Sequence, residues 1–488
     1  MTCDCISIKT RSPIVLLRSL MACAALSAAA LFNTSCQQQE RQPESTMVAV
    51  AEHVQREPKT EAYRIKVEGQ VVPIYTAGVS KDVQQPPLDL DADYFFGNFD
   101  FSGKVEVELQ SSEPLSALSI RSVDGTITSS IDGNRARFTL DRPGQYLIER
   151  NHQGRKDPLL LFANALEQDK PDPQDPDVIY FGPGHHQAGV IEIADNQTLY
   201  LADGAVVTGR VVAKGDNITI RGRGLLENAG EEHNWKYMLF LDHCKHVLIE
   251  GITLRKHTRG WTLVDRGGED IEIRNVKIVG SHSYNDDGID LCNTQHAKVI
   301  DCFVRTNDDS FAFKGMEGEN HRNMEHIEVR RCMFWSDLCT AILLGDESHA
   351  EYMRHITFAD SFVPYLSYEK YPKKFLMLHA CEEMRMESIR IENIKVGGEA
   401  QSRNYIEIAS EFNQWCESER AGYIKDVVIK DIALTGDKGD YFVVVKGFDE
   451  SHRVSDVRFE NCSINGQKIL ADYPQLEVGD FVDRLNFE

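Results

Sequence analysis

Short runs of alternating apolar and polar residues recur along the chain, and none keeps the i, i+3, i+4, i+7 spacing of an amphipathic helix over a long window. From about Tyr63 to Leu166, Val105, Val107 and Leu109 alternate with polar neighbours, as do Ala136, Phe138 and Leu140. Tyr146-Leu147-Ile148 and Leu159-Leu160-Leu161-Phe162 are continuous apolar runs, and Gly103, Asp132-Gly133 and Pro143-Gly144 supply turns. Several short strands at this spacing predict a β-sandwich over residues 61–168. The stretch 169–178 then breaks every pattern, because Pro171, Pro173 and Pro176 deny donors to any ladder. It reads as a linker between domains.

Beyond it the chain repeats. One template (aliphatic, polar, small or Asn/Asp, apolar or Cys, any, apolar) begins at Ile220, Ile249, Ile273, Val299, Val329, Phe358, Ile391, Ile429 and Phe459, at spacings of 24 to 38 residues. Its sixth column reads Leu225, Leu254, Ile278, Val304, Phe334, Val363, Val396, Leu434 and Ile464. Its third reads Gly222, Gly251, Asn275, Asp301, Arg331, Asp360, Asn393, Asp431 and Asn461, mostly residues suited to turns and side-chain ladders. Propeller blades need four strands in roughly 40 residues, more than most of these units hold. β-branched runs of four to six residues between loops of variable length fit coils of a right-handed parallel β-helix. The fold class expected is therefore all-β, a sandwich followed by a β-helix over residues 179–488, with the long gaps after Phe358 and Ile391 as loops.

Composition narrows the partners. A formal net charge of -23 argues against a nucleic-acid backbone or an anionic membrane surface as the main partner. Residues 1–36 read as a targeting segment, with Lys9, Arg11 and Arg18 before the apolar stretch Leu20–Phe32. It ends at Asn33-Thr34-Ser35-Cys36, similar to a bacterial lipoprotein signal, which predicts lipidation of Cys36 and export to the periplasm or outer membrane. Asn33 departs from the usual aliphatic residue there. Residues 37–60 are polar and aperiodic, a tether. Eight cysteines follow Cys36, in no CxxC pair and at no zinc-like spacing with histidine, so they read as buried thiols and no metal or cofactor is expected.

Two carboxylate clusters stand out in the repeat. Tyr284-Asn285-Asp286-Asp287-Gly288-Ile289-Asp290 precedes Arg305-Thr306-Asn307-Asp308-Asp309-Ser310-Phe311-Ala312-Phe313-Lys314, with twenty-one residues from Asp287 to Asp308. Residues at matching offsets on neighbouring coils lie about 5 Å apart, so a bulge at Ser281–Tyr284 would leave Asp287 above Asp308. A lone pair of aspartates is usually a solvated turn. Two clusters on successive coils, each leading into an apolar strand, instead resemble a site, and carboxylates packed this densely hold at least one proton at neutral pH. That combination serves glycoside hydrolysis, which needs one carboxylic acid and one carboxylate.

Asn285-Asp286-Asp287-Gly288 and Asn307-Asp308-Asp309 resemble the NTDG and DD motifs of the polygalacturonase-type glycoside hydrolases (family 28), and Phe311-Ala312-Phe313-Lys314 resembles the strand after that DD. The sandwich, and Tyr180-Phe181-Gly182-Pro183-Gly184 opening the helix, look more like the dextranase and isopullulanase group (family 49). The resemblance covers about residues 60–465. It implies an inverting hydrolase with Asp308 as general acid, and with Asp287 and Asp309 positioning and activating water. Asn285 would hold the aspartates or a sugar hydroxyl, and Lys314 would be a binding or pKa-tuning cation or a plain surface lysine. The partner implied is a polysaccharide or oligosaccharide.

Two stretches depart from the family 28 pattern. Where a Gly-His-Gly is expected the chain has Leu338-Cys339-Thr340-Ala341-Ile342, and where an Arg-Ile-Lys is expected it has Met377-Leu378-His379. Methionine cannot replace a guanidinium at a uronate, which favours a neutral or differently charged sugar. His379 is then a candidate subsite residue or a structural histidine. Trp235, Trp261 and Trp335 are either sugar platforms or caps of the core, and His185-His186 has no further ligands spaced with it. A polysaccharide lyase or epimerase of the same fold, and a non-catalytic glycan-binding protein, remain the alternatives.

Overall fold

The computed structural model describes residues 46–52, 57, 60–79, 94–229, 237–280, 285–315, 323–366, 374–397, 404–436 and 441–488. Cys36, Trp235 and the bulge expected at 281–284 lie outside them. All regular structure described is β, and it forms two sandwich sheets and one 31-stranded parallel solenoid.

In the sandwich, Arg135–Leu140 pairs antiparallel with Val105–Ser111 so that Phe138 faces Val107 and Leu140 faces Val105, and the buried and exposed positions alternate as its sequence does. The second sheet is built around Tyr94–Ser102, Leu159–Ala165 and Gly144–Arg150. The tether expected over 37–60 is shorter than its polarity implies. Met47–Ala49 pairs with Tyr94–Ser102 as an edge strand, and Glu57 is buried against Arg255, 2.7 Å away. An edge strand needs only backbone partners, which composition does not reveal.

The solenoid runs from Val178 to Phe487. All nine template starts stack in register, Ile220 on Ile249, then Ile273, Val299, Val329, Phe358, Ile391, Ile429 and Phe459. The column extends further than the sequence template, to Ile179 and Leu199 before it and Phe487 after. In the sixth column the first member is Leu226, not Leu225, because Leu226 pairs with Leu254. The Gly222-Arg223-Gly224 turn adds one residue to that coil. The third column is a run of left-handed backbone, with φ near +50° at Asn275, Asp301, Asp360, Asn393, Asp431 and Asn461. Asparagine and aspartate tolerate that conformation, and their side chains ladder, Asn393 donating to Asp360 at 2.8 Å and Asn461 to Asp431 at 2.6 Å. Gly222 has no alternative there, since a Cβ would lie 1.9 Å from the Leu201 carbonyl oxygen.

The sandwich packs against one side of the solenoid. Phe96, Leu147 and Phe162 join the solenoid's core cluster, with Phe162 on Phe303 at 5.3 Å. Asn164 Oδ1 accepts from Lys277 Nζ at 2.7 Å and from Asn275 at 2.9 Å. Arg305, buried, lies 4.1 Å over the Tyr94 ring and 2.9 Å from Asp337. This occupies the strands Lys277–Val279 and Phe303–Thr306 and leaves a different face for the carboxylates.

Candidate active site

That face is the ladder Leu263–Arg266, Ile289–Cys292, Phe311–Lys314, Ile342–Gly345 and Leu376–Ala380. Ile289, Leu291, Phe311, Phe313, Ile342, Leu344, Leu376 and Leu378 enter the core. Strand alternation therefore turns Asp290, Ala312, Lys314, Met377 and His379 outward. Asp287 and Asp309 sit just before the strands, where the chain turns onto this face.

The register corrects the stacking expected from the twenty-one-residue count. Ile289 pairs with Phe311, and Gly288 N donates to the Asp309 carbonyl at 2.9 Å. Asp287 thus lies over Asp309, and Asp286 over Asp308. Asp308 is reached from the side instead, where its Oδ2 accepts from Asn285 N at 2.7 Å. Asn285 takes a left-handed φ of 55° to make that contact, and Arg259 holds its side-chain oxygen at 2.9 Å. Asp309 Oδ1 accepts from Thr340 N at 2.9 Å, one coil further on.

The four carboxyl groups differ in environment. Asp287, Asp290 and Asp309 are buried, while Asp308 is half-buried. Burial first, then the charges of Asp290, Asp308 and Asp309, raises Asp287 well above the usual carboxylate range against the pull of Lys314. Burial likewise pushes Asp290 up to about 8, with the charge of Asp309 adding to the rise against the pull of Lys314. Lys314 is not the plain surface lysine the sequence left open. It is 5% exposed, 3.6 Å from Asp287, 3.2 Å from Glu347 and 4.3 Å from the centre of the Trp261 ring. Those carboxylates hold its ammonium charged despite burial.

The other expected residues divide. Trp335 is wholly buried with its ring edge-on to Phe303, so it is a core residue. Trp261 is half-buried beside Lys314 and stacks on Tyr237 at 5.5 Å. His379 faces outward but is enclosed, with Nδ1 3.0 Å from Asp346 and Nε2 3.7 Å from Glu411. Its other neighbours are the thiols of Cys381 and Cys416, whose sulfur atoms lie within 4.8 Å of one of its ring nitrogens. His185 approaches Glu57 at 3.8 Å.

Four neighbours were missed. Asp290 had a signal, a carboxylate between two core residues of a buried strand. Lys256, ion-paired with Asp286, and Glu347 had none, since each arrives from a different coil. Cys339 stands where the family histidine is expected, and its Sγ lies within 4.8 Å of carboxylate oxygens of both Asp308 and Asp309.

The profile of glycosyl hydrolases family 28 matches residues 184–336. That range includes all four carboxylates and Lys314, and ends ahead of the two stretches that depart from the family's motifs. No curated protein matches the chain. Among solved structures, Dex49A from Penicillium minioluteum superposes with a TM-score of 0.58 at 12% identity, over 88% of this chain and 98% of that one. The family 28 exopolygalacturonase of Yersinia enterocolitica gives 0.43 at 12% identity, over 78% and 96%. The first likeness is one of fold and spans sandwich and solenoid together. The coils carrying the paired aspartates are thus, over residues 184–336, a match to glycosyl hydrolases family 28, set in a longer sandwich and β-helix chain.

Proposed function

We propose that the protein is an inverting glycoside hydrolase acting on a neutral poly- or oligosaccharide. The observation that carries this reading is the inequality of the carboxylates. Asp308 alone of the four is half-exposed, placed to meet a leaving oxygen as general acid, while Asp287, Asp290 and Asp309 lie buried behind it, with the carboxyls of Asp287 and Asp290 raised by burial. Asp287 and Asp309 would then orient water and, in the form in which Lys314 keeps Asp287 ionised, deprotonate it.

Met377 favours a neutral sugar, since it stands outward on the substrate face where a uronate would need a bidentate cation. Lys374, whose Nζ lies 3.5 Å from Met377 Sδ, is already matched by Glu407 at 2.6 Å. Lyase chemistry is disfavoured because Arg305 is committed to Asp337 and the sandwich, and Lys314 to Asp287 and Glu347. The leader read in the sequence favours export and a lipid anchor, so the glycan would be exogenous.

The test is reducing-end release by wild type and Asp308→Asn across neutral and uronic glycans. Cleavage of a neutral glycan by wild type only, with inverted product configuration by early NMR, is the expected result. Equal release by the variant rejects the acid, and cleavage of galacturonan rejects the neutral substrate. Binding without cleavage on every glycan would return the reading to a binding protein.

A further inference from the structure

Above Lys314 on the same face, His379, Cys381 and Cys416 converge. One ring nitrogen of His379 and the two sulfur atoms all lie within 4.8 Å of one another. We propose that these three side chains form a metal site for a borderline or soft cation of the zinc type. The assignment does not depend on the hydrolase reading.

Three observations meet here. First, the donor set is imidazole plus two thiols, which selects zinc or copper(I) over calcium or magnesium. Second, the third ligand comes from a place remote in the chain from the other two. His379 closes the strand Leu376–Ala380, Cys381 begins the next turn, and Cys416 belongs to the turn at 411–421 that accounts for the extra length of that coil. Chain topology brings Cys416 to the His379-Ala380-Cys381 pair, which local sequence already places together. Third, the surroundings are those of a metal ligand set. Asp346 stands 3.0 Å from His379 Nδ1, the carboxylate partner that orients ligating imidazoles, and is itself fixed by Asn413 at 2.7 Å. Asn413 N donates to Cys416 Sγ at 3.4 Å, a contact that favours thiolate.

Binding converts both thiols to thiolates and releases their protons to solvent, with no redox change. Glu411, 3.7 Å from His379 Nε2, or a water completes four-coordination. The site would pin the 411–421 turn to the end of the strand Leu376–Ala380.

The test uses the full chain, purified under reducing conditions, dialysed against chelator and titrated with zinc chloride. About one zinc per chain, and a thiolate-to-metal charge-transfer band when cobalt(II) is substituted, are expected. Cys416→Ala, which alters a half-exposed turn residue, should lose that band and weaken zinc binding at least tenfold, as should His379→Gln. Thermal melting of each apo variant checks that the fold persists. Zinc binding unchanged in Cys416→Ala, or no zinc taken up by the reduced wild type, overturns the proposal. So does a Cys381–Cys416 disulfide that forms in air even with zinc present.

Discussion

Lys314 Nζ stands 3.6 Å from Asp287 Oδ2, reaching it from the neighbouring coil of the same ladder. Its charge lowers Asp287 against burial and the neighbouring aspartates. Lys314→Met should therefore raise the Asp287 pKa and move the acidic limb of the kcat/KM profile to higher pH. Activity at neutral pH should fall roughly 10–100-fold, the scale for a mispositioned or mistuned group. Lys314→Arg should recover part of it. A pH profile unchanged in Lys314→Met would mean the lysine only packs.

The buried pair makes stability depend on pH in a definite direction. Asp290 is pushed up to about 8 when folded, against about 3.9 in an unfolded chain. A raised carboxyl pKa favours the folded state at low pH, and that advantage is lost as pH rises from about 4 through 8. Asp290→Asn removes the ionisation. Its melting temperature should match wild type near pH 4 and exceed it by a few degrees at pH 9. Parallel melting curves across that range would show Asp290 ionised throughout.

Cys339 offers a chemical handle beside Asp308 and Asp309. Alkylation with iodoacetamide should block glycan cleavage by filling the space in front of those carboxylates, and bound glycan should slow the reaction. Cys339→Ser should stay active and resist the reagent. Loss of activity in both proteins alike would place the sensitive thiol elsewhere, Cys416 being the other half-exposed cysteine among the described residues.

Arg305 and Asp337 form a buried pair at the seam between sandwich and solenoid, with Trp335 Nε1 donating to Asp337 at 3.2 Å. Asp337→Ala would leave the guanidinium uncompensated next to Tyr94 and should destabilise the protein by about 3–5 kcal/mol. Melting by circular dichroism measures it. A loss within 0.5 kcal/mol would show the seam tolerates an unpaired charge.

The solenoid was legible because a stacked coil writes its core into the chain at every turn. All nine template positions found along the sequence stack as one inward column. The Asn and Asp at its third column are turn residues for the same local reason, a left-handed backbone that few other side chains accept. The paired aspartate motifs were legible because both clusters lead directly into apolar strands. What the chain alone determined, then, is the periodic part: the β-helix, the sandwich, and a carboxylate-rich pair of coils. Tertiary structure decided whatever depends on which coil lies beside which. The register put Asp287 over Asp309 instead of Asp308, because the count across a coil includes turn residues whose shape no spacing reveals. Burial of Lys314, the raised carboxyls of Asp287 and Asp290, and the meeting of Cys416 with His379 and Cys381 all arise between coils. Electrostatics and coordination act through distances in space, and a linear pattern records those only where it repeats.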